Sequence, residues 1–324
     1  MTNKPIVVML DDFERVAPTA ADWSTLASKV DLRVHTAPLT GAALLEALKP
    51  AQVVVLMRDR TPIKAELIAQ LPNLKLMIFT GTRNNTLDAA ALAARNIPVC
   101  HTNWGPSKDS TTEITWALIL AAHKQLETHM AGLRAGVWRP RDALLPTLHG
   151  KTFGSVGLGE IGTRVSRIAQ AFGMNVVTWS PNMTPERAEN IGAKAVSLDE
   201  LIAQSHVVSL HIVLSEKTKH LFGAAQFAAM QHGSIFVNTS RAGLADEAAL
   251  VAALKLGRPA MAALDVFSTE PLLAHHALTQ LPNVVITPHL GFVCEPVFKQ
   301  FYSGIVECLS AWVDGKPLVR VMAA

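Results

Sequence analysis

Short apolar runs alternate with amphipathic segments along the first hundred residues, and this alternation limits the possible folds more than any other feature. Five runs read as strands, at residues 6–10, 32–35, 53–57, 74–79 and 97–100. Segments between them, such as 41–48 and 63–71, carry the apolar spacing of helices. Strands that alternate with helices are typical of a parallel sheet covered by helices on both faces. The sequence therefore predicts the α/β class.

The same alternation restarts near residue 152. Six further runs read as strands, at residues 152–156, 175–179, 207–212, 235–238, 261–264 and 284–287. Six strands are the number expected of a complete dinucleotide-binding sheet. A chain of 324 residues is also longer than one compact core usually is, so we expect two α/β domains with parallel sheets.

A long helix is predicted between the two halves, over residues 111–133, with Ser110 to Glu113 matching a capping box at its start. A helix of this length exceeds the usual globular size, which favours a role in bridging domains or in an oligomer interface. A last amphipathic helix, over residues 297–313, follows the second half and belongs to neither half by its order along the chain.

The second half contains the glycine-rich turn Gly157-Leu158-Gly159-Glu160-Ile161-Gly162, between a predicted strand and a predicted helix. In that setting a Gly-x-Gly-x-x-Gly turn typically binds a dinucleotide, although a tight turn without ligand has the same pattern. Gly157 permits the tight turn, Gly159 lets the backbone approach the pyrophosphate, and Gly162 allows close helix–strand packing. Free N–H groups at the helix start bind the phosphates. We therefore predict a nicotinamide dinucleotide as the cofactor.

The position that normally selects the ribose of the cofactor is unusual. About 20 residues after such a turn, an acidic residue binds the ribose hydroxyls. Here the strand ends in Ser180, and Asn182 follows. Without a carboxylate nothing repels a 2′-phosphate, which Ser180, Asn182 and Arg187 can hydrogen-bond, whereas Ser180 can equally bind a ribose hydroxyl. The cofactor is therefore NAD or NADP, and the choice stays open.

Charge and cysteine content argue against several function classes. The net charge is only +3 and spread along the chain, without the basic stripe of a nucleic-acid-binding protein. The first apolar run is too short for a signal peptide, and the apolar stretch at 114–122 is too short to cross a bilayer. The three cysteines are widely spaced and lack metal-ligand spacing. We expect a cytoplasmic protein without a bound metal, membrane or nucleic acid.

Three polar segments follow predicted strands of the second half. They are Asn238-Thr239-Ser240-Arg241, the stretch from Asp265 to Pro271 that includes Glu270, and Pro288-His289-Leu290-Gly291. In open α/β sheets, ligands bind beyond the carboxyl ends of the strands. An arginine, a glutamate and a histidine can therefore converge beside the nicotinamide.

Together with the glycine turn, these segments resemble the D-isomer-specific 2-hydroxyacid dehydrogenases. The match includes residues 81–88 and 209–215 and so covers nearly the whole chain. The resemblance implies interconversion of a small 2-oxo acid and a D-2-hydroxy acid by hydride transfer with NAD(P). It also implies two Rossmann-like or flavodoxin-like domains with a cleft between them, and a homodimer. Residues 1–101 with 292–324 are expected to form the substrate domain, and residues 102–291 the dinucleotide-binding Rossmann domain.

The resemblance places the catalytic roles on three residues. Arg241 is expected to bind the substrate carboxylate and polarise the keto oxygen, which suits a planar guanidinium. His289 is expected to be the acid–base that exchanges a proton with that oxygen. Glu270 is expected to hydrogen-bond the far ring nitrogen of His289, fixing the ring and favouring the imidazolium.

Other site positions follow from the same resemblance. Asp265 is expected near the nicotinamide carboxamide, and the backbone N–H groups of Thr82 and Arg83 on the substrate carboxylate. Either Arg58 or Arg60 is expected toward the substrate, unless both lie on the surface. Further cofactor contacts are expected at His211, which is equally a structural candidate, and at Thr239, Ser240 and Gly291, with a substrate contact at Gly81.

Two other functions fit the same scaffold. One is a nucleotide-sensing binding protein similar to the family's transcriptional corepressors, and the other is a dehydrogenase of formate or phosphite. Arg83 is the departure from the family pattern most expected to change substrate choice, because glycine is frequent at that position. The side chain of the substrate is not readable from the sequence.

Overall fold

The computed structural model describes residues 4–139 and 144–322, which divide into two compact units. Unit 1 contains the described residues up to Pro106 together with those from Cys294 onward, and unit 2 is Ser107–Val293. The strands are β1 (Ile6–Met9), β2 (Asp31–Val34), β3 (Val53–Leu56), β4 (Leu76–Phe79), β5 (Val99–His101), β6 (Thr152–Val156), β7 (Asn175–Trp179), β8 (Lys194–Ala195), β9 (Val207–Leu210), β10 (Ile235–Asn238), β11 (Met261–Leu264) and β12 (Val284–Ile286). The helices are α1 (Ala17–Ala20), α2 (Gly41–Leu48), α3 (Ala65–Ala69), α4 (Ala89–Ala94), α5 (Ser107–His123), α6 (Leu126–Arg134), α7 (Glu160–Ala171), α8 (Pro185–Glu189), α9 (Leu198–Gln204), α10 (Ala224–Ala229), α11 (Glu247–Lys255) and α12 (Glu295–Val313).

The sheet of unit 1 has five parallel strands among the described residues, in the order β2-β1-β3-β4-β5. All residues of β3 and β4 are buried, as expected where helices cover both faces of a parallel sheet. The strand β2 lies at an edge and is partly exposed. The last helix, α12, belongs to this unit and packs against β4, β5 and α1.

The sheet of unit 2 is also parallel throughout, with seven described strands in the order β12-β11-β10-β9-β6-β7-β8. The chain builds outward from β6 in one direction through β7 and in the other through β9. The carboxyl ends of β6 and β9 therefore meet at the topological switch point, where ligands bind in sheets of this kind. The two parallel α/β sheets confirm the predicted fold class.

Unit 2 has an apolar core on each side of its sheet. One core contains the mutually packed rings of Phe222, Phe227 and Phe236. The other contains Trp116 of α5, stacked on Phe153 with ring centroids 6.0 Å apart. Because an apolar core covers each face of the sheet, the carboxyl ends of its strands have fixed positions. The loops that follow these strands therefore begin from fixed points, which suits them to carry site residues.

The predicted long helix is wrong as a single element. It is divided into α5 and α6 at Gln125, whose φ of 47° is left-handed and ends the regular hydrogen-bond ladder. The predicted capping box is wrong too, because α5 begins at Ser107 and Ser110 lies inside it. The hydroxyls of Thr111 and Thr112 donate to carbonyls one turn back, at 2.8 and 2.7 Å, rather than capping the helix.

The strand count of unit 2 also differs from the prediction by the edge strand β8. This strand has only two residues and begins with a lysine, so it lacks the apolar run by which a strand is detected. Among the residues that the structure describes, no helix is both long and apolar enough to cross a membrane.

Candidate active site

The glycine-rich turn lies at the switch point of unit 2, between β6 and α7. Gly157 has a φ of 102°, and a Cβ on it would lie 2.5 Å from the carbonyl oxygen of His211. A Cβ on Gly162 would collide with the carbonyl of Gly157. Gly159 differs, since nothing described lies within 4 Å of its Cβ position. The turn is therefore tightly packed at its first and third glycines and open at its second.

The open side of the turn is the start of α7, for which Gly159 is the N-cap. Leu158 is buried and Ile161 packs against the core beside α5, so their side chains anchor the turn. The side chain of Glu160 pairs with Lys108 and Arg164, and the hydrogen bond from Lys108 lowers the pKa of this carboxyl. The backbone at the helix start thus presents N–H groups to an anion, and the turn fits a pyrophosphate.

A cavity of about 480 Å³ follows the end of β7. It is lined by Trp179, Ser180, Pro181, Met183, Ala195, Val196, Ser197 and Glu200. Its size is within the range of small-molecule sites, and Ser180 is the predicted ribose contact. Asn182, the other predicted contact, accepts a hydrogen bond from Arg187 Nη1 through its carbonyl oxygen at 2.8 Å.

His211 follows β9 and packs against the glycine turn. Its Cβ would lie 3.1 Å from a Cβ on Gly162, and its Nε2 is 2.9 Å from Ser209 Oγ. Burial lowers the pKa of His211 to about 4, so the ring is neutral at pH 7. The backbone and Cβ of His211 therefore shape the turn, and its imidazole brings no positive charge to the phosphates.

His289 and Glu270 face each other after β12 and β11. His289 Nδ1 lies 2.7 Å from Glu270 Oε2, and the backbone N–H of Phe267 donates to Glu270 Oε1 at 3.0 Å. Burial raises the pKa of Glu270, but the hydrogen bond and charge of His289, with the charge of Arg241, outweigh it and lower the pKa overall. Glu270 is therefore ionised at neutral pH and holds the histidine ring by Nδ1.

Arg241 is positioned by the loop after β10. Asn238 braces this loop, since its Nδ2 donates to the Arg241 carbonyl at 2.9 Å and its Oδ1 accepts from Ser240 N at 3.0 Å. Ser240 Oγ donates to the carbonyl of Leu210 at 2.6 Å, which ties the loop to the end of β9.

The same loop also contacts α5, since Thr239 Oγ1 is 2.8 Å from Thr115 Oγ1 of that helix. The structure brings Glu270 and His289 into contact, and the charge of Arg241 contributes to the lowered pKa of the Glu270 carboxyl.

Asp265 supports the loop that carries His289. It is fully buried, and its carboxylate accepts from Thr287 Oγ1 at 2.5 Å, Leu290 N at 2.7 Å and Gly291 N at 2.8 Å. Burial raises the pKa of Asp265, while these donors and the charge of His289 oppose the rise. Because it bonds both residues after His289, Asp265 fixes a segment in which His289 itself has a φ of 55°.

The sequence analysis missed the residues that brace these loops. Asn238 was part of a quoted segment without a role, and Thr115 and Thr287 were not considered. Asn238, at the end of β10, and Thr115, within α5, are buried polar side chains. Burial of this kind marks bracing residues, but it is not visible in the sequence.

The predicted substrate residues of unit 1 follow β3 and β4. Gly81 N donates to Thr102 Oγ1 at 2.9 Å. Trp104 covers the loop: its ring carbons lie 3.2–3.3 Å from a Cβ position on Gly81, and its Nε1 donates to Thr82 Oγ1 at 2.6 Å. The guanidinium of Arg58 lies 3.8 Å over the Trp104 ring. Trp104 was not anticipated from the sequence, and Arg83, next in the loop, is exposed.

Arg60 has a different environment from Arg58. Its guanidinium donates to both carboxylate oxygens of Glu14, at 2.5 and 3.0 Å, and to the carbonyl of Asp11 at 2.6 Å. It also lies over the ring of Phe13. Arg60 is thus held within a network near β1, whereas Arg58 lies beside the Gly81 loop.

Comparisons with known proteins identify the family of this chain. Residues 116–291 match the family model of the D-isomer specific 2-hydroxyacid dehydrogenase, NAD binding domain. A glyoxylate reductase of Aeropyrum pernix is 35% identical over 281 residues, which are 84% of this chain and 83% of the relative. A D-3-phosphoglycerate dehydrogenase of Archaeoglobus fulgidus is 37% identical over 254 residues, 78% of this chain and 48% of the relative, so the chain spans about half the length of that relative.

Solved structures give the same result for the fold. A phosphoglycerate oxidoreductase from Vibrio cholerae superposes with a TM-score of 0.88 at 33% identity, covering 96% of this chain and 99% of that structure. With the family model matching more than half of the chain, and the relative from Aeropyrum pernix aligned over most of both lengths, this chain belongs to the D-isomer-specific 2-hydroxyacid dehydrogenase family, whose matched domain binds NAD.

Proposed function

We propose that this chain is an NAD-dependent enzyme that interconverts a small 2-oxo acid and the D-2-hydroxy acid. The observation that carries the proposal is the 2.7 Å contact of His289 Nδ1 with Glu270 Oε2, and the charge of Arg241 also lowers the pKa of that carboxyl. A histidine that a carboxylate holds in place can transfer a proton to the keto oxygen of a 2-oxo acid. The arginine can bind the carboxylate of the same substrate. When bound, the nicotinamide supplies or accepts the hydride.

Arg241 binds and polarises the substrate in this proposal. A guanidinium presents two parallel N–H donors, which suit a carboxylate or the adjoining keto oxygen. The Asn238 and Ser240 hydrogen bonds fix the backbone from which Arg241 extends. Holding the acceptor carbonyl in one orientation lowers the entropic part of the barrier.

His289 carries the proton. Because Glu270 engages Nδ1, the proton exchanged with substrate is the one on Nε2, which His289 donates in reduction and accepts in oxidation. The carboxylate of Glu270 stabilises the imidazolium that donates it. Asp265 acts through its hydrogen bonds to the residues after His289, so it is a positioning residue within this proposal.

The substrate contacts of unit 1 are also proposed. The backbone N–H groups of Thr82 and Arg83 bind the substrate carboxylate, as the family resemblance implies. Arg58 is the arginine of the pair that acts toward the substrate, because Arg60 is committed to Glu14 and the Asp11 carbonyl. Trp104 supports this arrangement by packing on Gly81 and under the Arg58 guanidinium.

We further propose that NAD is preferred over NADP. The cavity after β7 places Ser180 with Glu200, the charged residue among those that line it. A carboxylate there disfavours an added 2′-phosphate, since like charges repel, whereas Ser180 can bind a ribose hydroxyl. The backbone groups of Gly157–Gly162 and of the segments at Thr239 and Gly291 complete the cofactor site.

A homodimer is proposed from the surface of unit 2. No residue of α6 is buried, and its apolar residues Leu126, Met130 and Leu133 recur on one face with 43%, 50% and 55% exposure. Trp138 and Leu144, which follow α6 along the chain, are also apolar and are 76% and 95% exposed. Exposed apolar surface of this extent is typical of protein–protein contacts.

The deciding experiment is a steady-state assay of NADH and NADPH oxidation with a panel of 2-oxo acids, including glyoxylate, pyruvate and hydroxypyruvate. We expect turnover with at least one of these acids and a higher kcat/KM with NADH. Nucleotide binding without turnover of any acid would indicate a sensing protein instead. Turnover of formate or phosphite alone would indicate the other dehydrogenase activity.

A further inference from the structure

Helix α5 packs against the three strands whose ends carry the proposed catalytic residues. It begins at Ser107, the first residue of unit 2, and contacts β10, β11 and β12. Arg241, Glu270 and His289 follow these strands in that order. The proposed reaction assigns no role to the residues of α5. A helix in this position can hold the loops that follow the strands as well as the strands themselves.

Three threonines near the start of α5 donate their hydroxyl protons to carbonyls one turn back in the same helix. The donors are Thr111, Thr112 and Thr115, at 2.8, 2.7 and 2.7 Å from the carbonyl oxygens. Thr111 and Thr115 are four residues apart and share one face, whereas Thr112 lies about 100° around the helix from Thr111. Among the described residues, Thr112 makes no second side-chain hydrogen bond, whereas Thr111 and Thr115 each make one outside the helix.

Thr111 contacts the segment that carries His289. Its Oγ1 lies 2.8 Å from the carbonyl oxygen of Gly291 and 2.8 Å from that of Ser107. Because a hydroxyl has one proton, the two carbonyl oxygens share it in a three-centre hydrogen bond. The N–H of Gly291 donates to Asp265 Oδ2 at 2.8 Å. Both polar backbone groups of Gly291 are therefore held, two residues after His289.

Thr115 contacts the loop that carries Arg241. Its Oγ1 lies 2.8 Å from Thr239 Oγ1, two residues before Arg241. Since Thr115 donates its own proton to the Thr111 carbonyl at 2.7 Å, Thr239 is the donor in this contact. Thr115 is fully buried and Thr239 is 7% exposed. Loss of either hydroxyl therefore leaves a buried polar group without its partner, which destabilises the contact between the loop and the helix.

We propose that Thr111 and Thr115 form a support face on α5, which positions the His289 loop and the Arg241 loop relative to each other. Both are positioning residues, because Thr111 acts through the backbone of Gly291 and Thr115 through the side chain of Thr239. The His289 segment needs this support. His289 has a φ of 55°, a left-handed conformation that a residue other than glycine keeps only where its surroundings fix it.

The kinetic consequences rest on the proposed function, since they depend on the roles of His289 and Arg241. Thr111→Val keeps the shape of the side chain but removes the bond to Gly291, so the His289 segment relaxes. We expect kcat to fall about tenfold, with a smaller change in KM for the 2-oxo acid. Thr115→Val loosens the Arg241 loop instead. We expect a rise of about tenfold in KM for the acid, with a smaller change in kcat.

The test is hydrogen–deuterium exchange of the full chain, measured by mass spectrometry on peptides from the two loops. In Thr111→Val we expect faster exchange over residues 288–293, where Leu290 N and Gly291 N donate to Asp265. In Thr115→Val we expect faster exchange over residues 239–243. Because exchange needs no turnover, this outcome does not depend on whether the chain reduces any 2-oxo acid.

The matched control is Thr112→Val, which removes the same kind of helix bond from the adjacent residue. We expect it to keep the exchange of both loops and the kinetic constants, and Thr111→Ser, which restores a hydroxyl, to recover both. Equal exchange in Thr111→Val and Thr112→Val would overturn the proposal. If valine disturbs folding, Thr111→Ala and Thr112→Ala give the same comparison. Absence of turnover in the unaltered chain counts against the proposed function alone, whereas an unchanged kcat in Thr111→Val counts against the support face alone.

Discussion

His289 and Glu270 form a pair whose side chains are 31% and 36% exposed. A pair this exposed contributes little to the free energy of unfolding, so we expect it to act by positioning and charging the histidine ring. Replacing His289 with Ala is expected to reduce kcat by about 10²- to 10⁴-fold with little change in NAD affinity.

Glu270→Gln keeps the size of the side chain but removes the charge that stabilises the imidazolium. We expect a loss of about tenfold in reduction, a smaller loss in oxidation, and a shift of the pH profile for reduction to lower pH.

The pKa of Glu270 is below its ordinary value, and it sets the low-pH limit of the Glu270–His289 pair in the unaltered chain. The carboxylate therefore stays ionised as the pH falls, and the pair is lost only when the pH passes through the lowered pKa. A matched control is Glu247→Gln, since Glu247 contacts His276 at 3.3 Å in the same unit. Equal losses in both reaction directions, or an unmoved pH profile, would contradict the assigned role of Glu270.

Single residues show where the sequence was sufficient and where it was not. The strand ends predicted that Arg241, Glu270 and His289 could converge, because strand ends of a parallel sheet share an edge, and the family resemblance assigned their roles. Arg58 could not be separated from Arg60, because two arginines on one short turn differ only in which partners their side chains reach. Trp104 was missed since a lone tryptophan after a strand carries no pattern.

At the scale of elements, the glycine turn offers a variant that separates folding from binding. A Cβ on Gly159 meets nothing within 4 Å, so Gly159→Ala is expected to fold with unchanged thermal stability. The same methyl group occupies the space through which a pyrophosphate approaches, and we expect NAD affinity to fall at least tenfold. Calorimetric titration with NAD measures the loss.

The matched control for this variant is Gly223→Ala. Gly223 is also a helix N-cap, and its Cβ position lies 3.6 Å from Gln226 Oε1, an ordinary contact. We expect this control to keep its NAD affinity. An unchanged affinity in Gly159→Ala would show that the cofactor does not approach the turn at this glycine.

Strands were easier to predict than helix boundaries for a physical reason. A strand covered on both faces is an unbroken apolar run, as in Val53–Leu56 and Leu76–Phe79. The break between α5 and α6 carries no such mark, because Gln125 takes a left-handed φ without being glycine or asparagine. The edge strand β8 is equally invisible, since two residues cannot show an alternation.

At the scale of the whole molecule, the apolar face of α6 makes the assembly testable. Leu133→Glu places a charge on this face, where the leucine is 55% exposed, and is expected to convert a dimer into monomers without loss of helix content. Analytical ultracentrifugation and circular dichroism measure the two properties. Leu256→Glu, at an 85% exposed leucine outside α6, is the control that should remain dimeric. A monomeric unaltered chain, or a dimeric Leu133→Glu variant, argues against this interface.

The hydrogen bond from Tyr302 to Asp12, at 2.7 Å, joins residues 290 positions apart within unit 1. Unit 1 therefore cannot be completed on the ribosome until α12 has been synthesised, after every residue of unit 2. While unit 2 is being synthesised, the five-stranded sheet of unit 1 lacks α12. In the complete chain this helix buries Phe301, Tyr302 and Ile305 within unit 1. Unit 2, being contiguous, can fold during translation. The nascent chain is thus most exposed to aggregation and to chaperones through its first hundred residues.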